Sequence, residues 1–144
     1  MERIVAQEVP EGHYTADICL IWCFDARFSP LLDEFSKQFS HVDLVKVAGG
    51  AKGIADREDS VGQDFLLRQI EGSIKLHQTK TVGLMVHANC GAYGKSFPSK
   101  EEEAAFYGGE LGKAKSVVEQ FLASQNMKAD VECYLADFKG LSRI

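Results

Sequence analysis

The chain has 144 residues, a length that suits one domain and is sufficient for a hydrophobic core. Hydrophobic residues make up 45% of it and charged residues 26%, which is ordinary for a soluble globular protein. The formal net charge of -5 and the lack of a basic run argue against a nucleic-acid partner. Residues 1–16 lack the pattern of a signal peptide, and no apolar run reaches the roughly 20 residues of a membrane span. We therefore expect a single cytoplasmic domain over residues 1–144.

Four apolar runs predict buried strands, and helical patterns lie between them. The strands are predicted at residues 18–23, 44–47, 82–87 and 131–136. Continuous apolar strands that alternate with helices are typical of a parallel sheet covered on both faces. The prediction is an α/β fold of three layers, α-β-α. Its central sheet is mostly parallel, has four or five strands, and runs in the order 2-1-3-4.

Each helical pattern begins with a capping signal and continues as an apolar stripe. The signals are Ser29 with Pro30, Ser60 with Gln63, and Ser99 with Glu102. The stripes are Leu31, Phe35 and Phe39; then Leu66, Ile70 and Ile74; then Leu111, Ala114, Val118, Phe121 and Leu122. Three glycines in the last helix, at positions 108, 109 and 112, predict a break there. Residues 48–60 are rich in glycine and charge, which favours a mobile or functional loop.

The four cysteines divide into two pairs by their surroundings. The length and the presumed compartment do not favour a disulfide framework. Cys19 and Cys133 lie within apolar runs, and we expect them in the core. Cys23 and Cys90 lie where apolar runs end, which is where parallel sheets build their sites.

Two short motifs, Cys-Phe-Asp-Ala-Arg at 23–27 and His-Ala-Asn-Cys-Gly at 87–91, carry the candidate chemistry. Together they offer two thiolates and one imidazole, a soft ligand set that suits zinc. Three protein ligands leave a tetrahedral ion one open position, as in a catalytic zinc site. In the predicted strand order the motifs follow neighbouring strands, so the fold can bring them together.

Asp25 and Arg27 alternate with Cys23, and in an extended chain these three side chains point the same way. Asp25 is then placed to accept a proton or hydrogen bond from a metal-bound water. Arg27 would keep it ionised through a two-point contact. Phe24 would point away into the core, and Gly91 would let the backbone pass close behind the second cysteine. The competing interpretation is that both cysteines are merely buried and that Asp25 and Arg27 form a surface ion pair.

The chain resembles the β-class carbonic anhydrases in two motifs, Cys23-x-Asp25-x-Arg27 and His87-x-x-Cys90-Gly91. The likeness extends from about Ile18 to Leu141, because the order of the elements also fits. Residues 46–49, Lys-Val-Ala-Gly, are similar to the family's Arg-Asn-Ala-Gly segment. Ala48 and Gly49, with Gly91, are therefore candidate pocket residues.

The resemblance implies a zinc ion held by Cys23, His87 and Cys90, with Asp25 and Arg27 beside its fourth position. It implies a lyase that hydrates carbon dioxide reversibly to bicarbonate with a zinc-bound hydroxide. It also implies a small-molecule substrate and a homodimer or higher homo-oligomer. In the family's resting form an aspartate, here Asp25, binds the zinc itself.

The chain departs from the family pattern in ways that leave alternatives open. The family usually has long N-terminal helices, whereas about 17 residues precede the first predicted strand, which favours a compact, divergent member without that arm. One alternative is a non-catalytic zinc protein on the same scaffold. Another is a hydrolase of carbonyl sulfide or carbon disulfide. A phosphate-binding loop at 49–53 is disfavoured, because it matches neither the dinucleotide nor the P-loop pattern. His13, His41 and His77 are predicted as surface or boundary residues, and any one of them could shuttle protons.

Overall fold

The computed structural model describes residues 2–144 and contains a five-stranded sheet in the order β2-β1-β3-β4-β5. The strands are β1 (Ile18–Cys23), β2 (Val42–Val47), β3 (Thr81–His87), β4 (Asp130–Asp137) and β5 (Gly140–Arg143). The helices are α1 (Ser29–Ser36), α2 (Lys52–Ala55), α3 (Ser60–His77) and α4 (Lys100–Ser124). The first four strands are parallel, and β5 pairs antiparallel with β4. The predicted α/β architecture and strand order are confirmed.

Helices cover both faces of the sheet. Phe35 of α1 packs edge-on against Tyr134 of β4, with ring centroids 4.9 Å apart. The neighbouring residue of that strand, Cys133, donates from Sγ to the carbonyl oxygen of Leu111 in α4 at 3.6 Å. Because successive strand residues point to opposite faces, α1 and α4 lie on opposite sides of the sheet.

This double covering explains why β1 is buried along its whole length. Trp22 is the largest side chain of its interior, and Cys19 and Cys133 are both in the core as predicted. The apolar stripe of α3 is confirmed at Leu66 and Ile70, which are buried. Within residues 2–144, no helix combines the length and apolar character that crossing a membrane requires.

The starts of two helices differ from the prediction. Helix α1 begins at Ser29 with Phe28 as its N-cap, because a 3₁₀ turn runs directly into it. The N-cap of α3 is Asp59, whose carboxylate accepts from the amide of Gly62 at 2.9 Å, and not Ser60. For α4 the prediction is confirmed, since the Ser99 hydroxyl accepts from the amide of Glu102.

Two predicted irregularities are also wrong, because tertiary packing overrides local preference. Helix α4 runs unbroken through its three glycines, since the buried Tyr107 and Leu111 lie among them and anchor this part of the helix. Packing of that face outweighs a propensity penalty of about 1 kcal/mol per glycine. Within the predicted loop at 48–60, Ala51 and Ile54 are buried and α2 forms. Gly50, at φ +57°, packs so tightly that an added Cβ would lie 2.2 Å from the carbonyl oxygen of Met85.

A hydrogen-bond network connects the irregular segment before β1 to the edge of the sheet at which the parallel strands begin. Asp43 of β2 accepts from the hydroxyl of Tyr14 at 2.8 Å, from Ser73 at 2.6 Å and from His77 Nδ1 at 2.7 Å. His41 stacks on the Tyr14 ring with centroids 5.0 Å apart. Burial alone would raise the pKa of Asp43, but the hydrogen bonds from Ser73, His77 and Tyr14 together hold that pKa below its usual value.

We expect Asp43→Asn to destabilise the fold by about 1–2 kcal/mol at pH 7, the scale of hydrogen bonds to a charged acceptor. A lowered carboxyl pKa contributes stability that is present above the unfolded pKa of about 3.9 and lost as pH falls through the folded value. The difference between wild type and variant should therefore shrink at pH values below about 4. Urea unfolding of both proteins at neutral and acid pH measures this difference in the free energy of unfolding. The same difference at both pH values would contradict the role of the Asp43 charge.

Candidate metal centre

The carboxyl ends of β1 and β3 lie side by side, because these strands pair in parallel. Cys23 is the last residue of β1, His87 is the last residue of β3, and Cys90 closes the turn that follows. One ligand atom from each lies within 4.8 Å of the other two, and all three residues are buried. The structure thus brings together the three predicted ligands from motifs far apart in the sequence.

His87 is held in the tautomer that a metal ligand needs. Its Nδ1 donates to the carbonyl oxygen of Ala88 at 2.9 Å, which leaves the lone pair on Nε2. That Nε2 is buried and has no hydrogen-bond partner among residues 2–144. Phe28 packs against the imidazole with ring centroids 4.2 Å apart. A buried acceptor without a partner is unfavourable, so the site fits a group that binds Nε2.

The two thiols are electrostatically unequal. A hydrogen bond from the Cys90 thiol lowers the pKa of Cys23, although burial opposes the shift. The backbone amides of Asp25 and Gly49 also donate to this sulfur and lower its pKa. The same contact, together with burial, raises the pKa of Cys90. The structure therefore favours one thiolate beside one thiol, and a metal ion that binds both sulfurs would displace the remaining proton.

The three predicted pocket residues have different surroundings. Gly49 is buried at φ +77°, and an added Cβ would lie 2.9 Å from Lys52 Cβ, so its backbone can approach Cys23 only as glycine. Ala48 is exposed. Gly91 is also exposed, and no atom beyond its two chain neighbours lies within 4 Å of where its Cβ would be. No close contact with another segment therefore requires glycine at this position.

Asp25 and Arg27 are in contact, but not through the predicted extended chain. After Cys23 the backbone turns, and Asp25 becomes the N-cap of a 3₁₀ turn. Arg27 donates from Nε to Asp25 Oδ1 at 3.0 Å and from Nη2 to Oδ2 at 2.6 Å, the predicted two-point contact. The turn also directs Phe24 outward, where it is 63% exposed, so its predicted core position is wrong.

Asp25 lies at the edge of the ligand cluster, with Oδ2 3.8 Å from His87 Nε2. The hydrogen bonds from Arg27 lower the pKa of Asp25 to about 2, although burial opposes the shift. Asp25 is consequently ionised at neutral pH and fixed in orientation. An ionised carboxylate beside a buried Cys-His-Cys set provides a fixed acceptor next to any metal that the set holds.

Arg27 is held in place by further residues that had no predicted functional role. The guanidinium donates from Nη1 to Asn89 Oδ1 and from Nη2 to the carbonyl oxygen of Asn89, both at 3.1 Å. Its Cζ lies 5.8 Å from the ring centroid of Phe28 and 5.4 Å from that of Phe138. The sequence carried a signal for Asn89 alone, since asparagine favours the positive φ of 55° found there.

Other candidate residues lie away from the centre or form no site. His41 directly precedes β2, and His77 ends α3 shortly before β3 begins, so both lie at the opposite edge of the parallel sheet. His13 contacts His77 there, with ring centroids 6.3 Å apart. Both glycines at the start of the 49–53 segment are buried, Gly49 against Lys52 and Ala92 and Gly50 against Met85 of β3, so that segment forms no open cradle for a phosphate.

A parallel α/β sheet with a buried Cys-His-Cys set at its carboxyl edge defines a candidate metalloprotein of the doubly wound class. Residues 14–134 match a family model described as "Putative carbonic anhydrase". Because this match spans most of the chain, the protein belongs to that carbonic anhydrase family.

Solved β-carbonic anhydrases have the same fold. Isoform I from Trichomonas vaginalis superposes with a TM-score of 0.57 at 14% identity, covering 97% of this chain and 87% of that one. A tetrameric enzyme from Sordaria macrospora gives 0.54 at 13% identity, covering 92% and 82%. A carbonic anhydrase from Streptococcus mutans gives 0.53 at 14% identity, covering 97% and 87%. In sequence, the chain is 25% identical over 131 residues to the Rickettsia conorii protein named Uncharacterized protein RC0076, covering 83% of this chain and 70% of that protein.

We expect the purified protein to hold about one zinc ion per chain, as a site with three protein ligands would. Cys90→Ser should lose most of this zinc, because a hydroxyl replaces a soft thiolate ligand. Cys133→Ser is the matched control, since Cys133 is also buried but lies in β4 outside the cluster. Elemental analysis after dialysis and competition with a coloured chelator measure both. Full zinc retention by Cys90→Ser would contradict the ligand assignment.

Proposed function

We propose that this protein is a zinc-dependent lyase that hydrates carbon dioxide reversibly to bicarbonate, with Cys23, His87 and Cys90 as the zinc ligands. The supporting observation is the juxtaposition of that buried cluster with the carboxylate of Asp25, 3.8 Å from His87 Nε2. Membership in the carbonic anhydrase family and the shared fold support the same assignment. Zinc in such a site supplies Lewis acidity, which lowers the pKa of a bound water to about 7.

Asp25 is the proposed proton or hydrogen-bond acceptor of the reaction. Its pKa of about 2 keeps the carboxylate ionised across the physiological range. Arg27 donates hydrogen bonds from Nε and Nη2 to the two carboxylate oxygens, so the carboxylate cannot rotate freely. We assign Asp25 to the proton-accepting role and Arg27 to its orientation, while Gly49 lets the backbone donate to the Cys23 sulfur.

The likeness to the β-carbonic anhydrases also implies that this protein forms a homo-oligomer. The Sordaria macrospora enzyme is described as tetrameric. In the present chain two aromatic residues near the Asp25–Arg27 pair are exposed: Phe24, which precedes Asp25, and Phe138, whose ring lies against the Arg27 guanidinium. Apolar rings exposed beside a site are candidates for coverage by a second copy. We therefore propose a homodimer or a higher homo-oligomer.

Two alternative functions would also use the Cys-His-Cys set. A non-catalytic zinc protein needs the Cys-His-Cys set but has no use for an ionised, oriented Asp25, so the Asp25–Arg27 pair favours catalysis. Hydrolysis of carbonyl sulfide or carbon disulfide would use the same residues. Assays with each of these small molecules therefore belong beside the carbon dioxide assay.

Stopped-flow carbon dioxide hydration by the zinc-loaded full chain, from neutral to alkaline pH, tests the proposal. Rapid turnover that requires zinc would establish the lyase. Hydrolysis of carbonyl sulfide or carbon disulfide without carbon dioxide hydration would reassign the substrate. A fully zinc-loaded protein inactive on all three would identify a non-catalytic zinc protein.

Asp25→Asn should retain zinc and lose at least about a hundredfold in kcat/KM, the scale of general acid–base catalysis. The amide preserves size but cannot accept a proton. Asp33→Asn, an exposed acid in α1, is the control and should match wild type. If Asp25→Asn turned over at the wild-type rate with zinc bound, the acceptor role would be disproved.

A further inference from the structure

The first two turns of α4 support the turn that carries Cys90. Glu103 Oε1 accepts from the backbone amide of Asn89 at 2.6 Å. One turn further, the hydroxyl of Tyr107 accepts from the backbone amide of Cys90 at 3.2 Å. Residues four apart share a face of a helix, so this single face receives two consecutive amides of the turn.

The first of these contacts binds the backbone amide of a residue in the left-handed conformation. Asn89 has φ +55°, which asparagine adopts more readily than other non-glycine residues do. In this conformation Asn89 offers both its carbonyl oxygen and its Oδ1 to Arg27. The conformation of Asn89 therefore determines where the guanidinium of Arg27 is bound.

We propose that Glu103 is a positioning residue, which fixes Asn89 so that Arg27 holds Asp25 in place. This inference rests on the proposed function only for its effect on turnover, because the arrangement of Arg27 and Asp25 is measurable without catalysis. A continuous path of hydrogen bonds leads from α4 through Asn89 and Arg27 to Asp25.

Neighbouring acids make this role distinguishable from a general effect on the helix. Glu101, Glu102 and Glu103 all lie in the first turn of α4, where negative charge favours the helix dipole. Glu101 and Glu102 are exposed, whereas Glu103 is half-buried against the turn. Glu102→Ala removes the same charge from the same turn and leaves the Asn89 contact intact, so it is the matched control.

The test uses Co²⁺-substituted full-length protein titrated with azide, followed by visible absorption. Loss of the Glu103 contact should free Arg27 and release Asp25, whose carboxylate would then compete with azide for the metal. We expect Glu103→Ala to bind azide about tenfold more weakly than wild type, as loss of a supporting contact typically does. Glu103→Gln, which keeps an oxygen acceptor, should restore most of the affinity, and Glu102→Ala should equal wild type.

Azide affinity in Glu103→Ala equal to that in Glu102→Ala would overturn the proposal. If Glu103→Ala fails to fold, Glu103→Asp provides the second variant, since it keeps the negative charge in the first turn of α4 but shortens the side chain and withdraws the carboxylate from the Asn89 amide. It should weaken azide binding, and unchanged binding would also overturn the proposal. In the zinc-loaded protein, kcat for carbon dioxide hydration should be lower in Glu103→Ala than in wild type, whereas KM should change little. A wild type without turnover would disprove the proposed function and leave the azide comparison valid.

Discussion

Parallel pairing of β1 with β3 is the constraint on which the candidate site depends. Two strands that run in the same direction end at the same edge, so their terminal residues, Cys23 and His87, become neighbours. The pairing requires close packing along the strands. An added Cβ at Gly83 of β3 would lie 2.8 Å from Leu20 of β1, so glycine there makes room for the large side chains that bury β1.

At this edge the groups of the candidate site are arranged from buried to exposed. The buried sulfurs and imidazole of the three candidate ligands lie innermost, the ionised Asp25 lies beside them, and the exposed Arg27 lies outermost. Arg27 would be mobile on its own, but Asn89 and two aromatic rings hold it from separate directions. The site is thus supported by α4 and by the β4–β5 turn, neither of which belongs to the two sequence motifs.

The sequence predicted the features that depend on patterns repeated along the chain. Buried parallel strands leave long apolar runs, and soft ligands at the ends of two runs indicated which side chains meet. It did not predict features decided by contacts between distant segments. The outward position of Phe24 follows from the Asp25 turn, and the buried 51–55 segment follows from packing against β3. The contact between Glu103 and Asn89 could not be predicted, because the donor is a backbone amide, which carries no sequence signal.

The Asp43 network and the candidate metal centre lie at opposite ends of one buried strand layer. A six-residue strand such as β1 spans roughly 20 Å, more than twice the screening length of about 8 Å at physiological salt. Solvent-exposed charges added or removed at the amino edge are therefore largely screened from Asp25. That edge is consequently the natural point at which to attach a dye, a surface tether or a fusion partner without disturbing the chemistry at the far end.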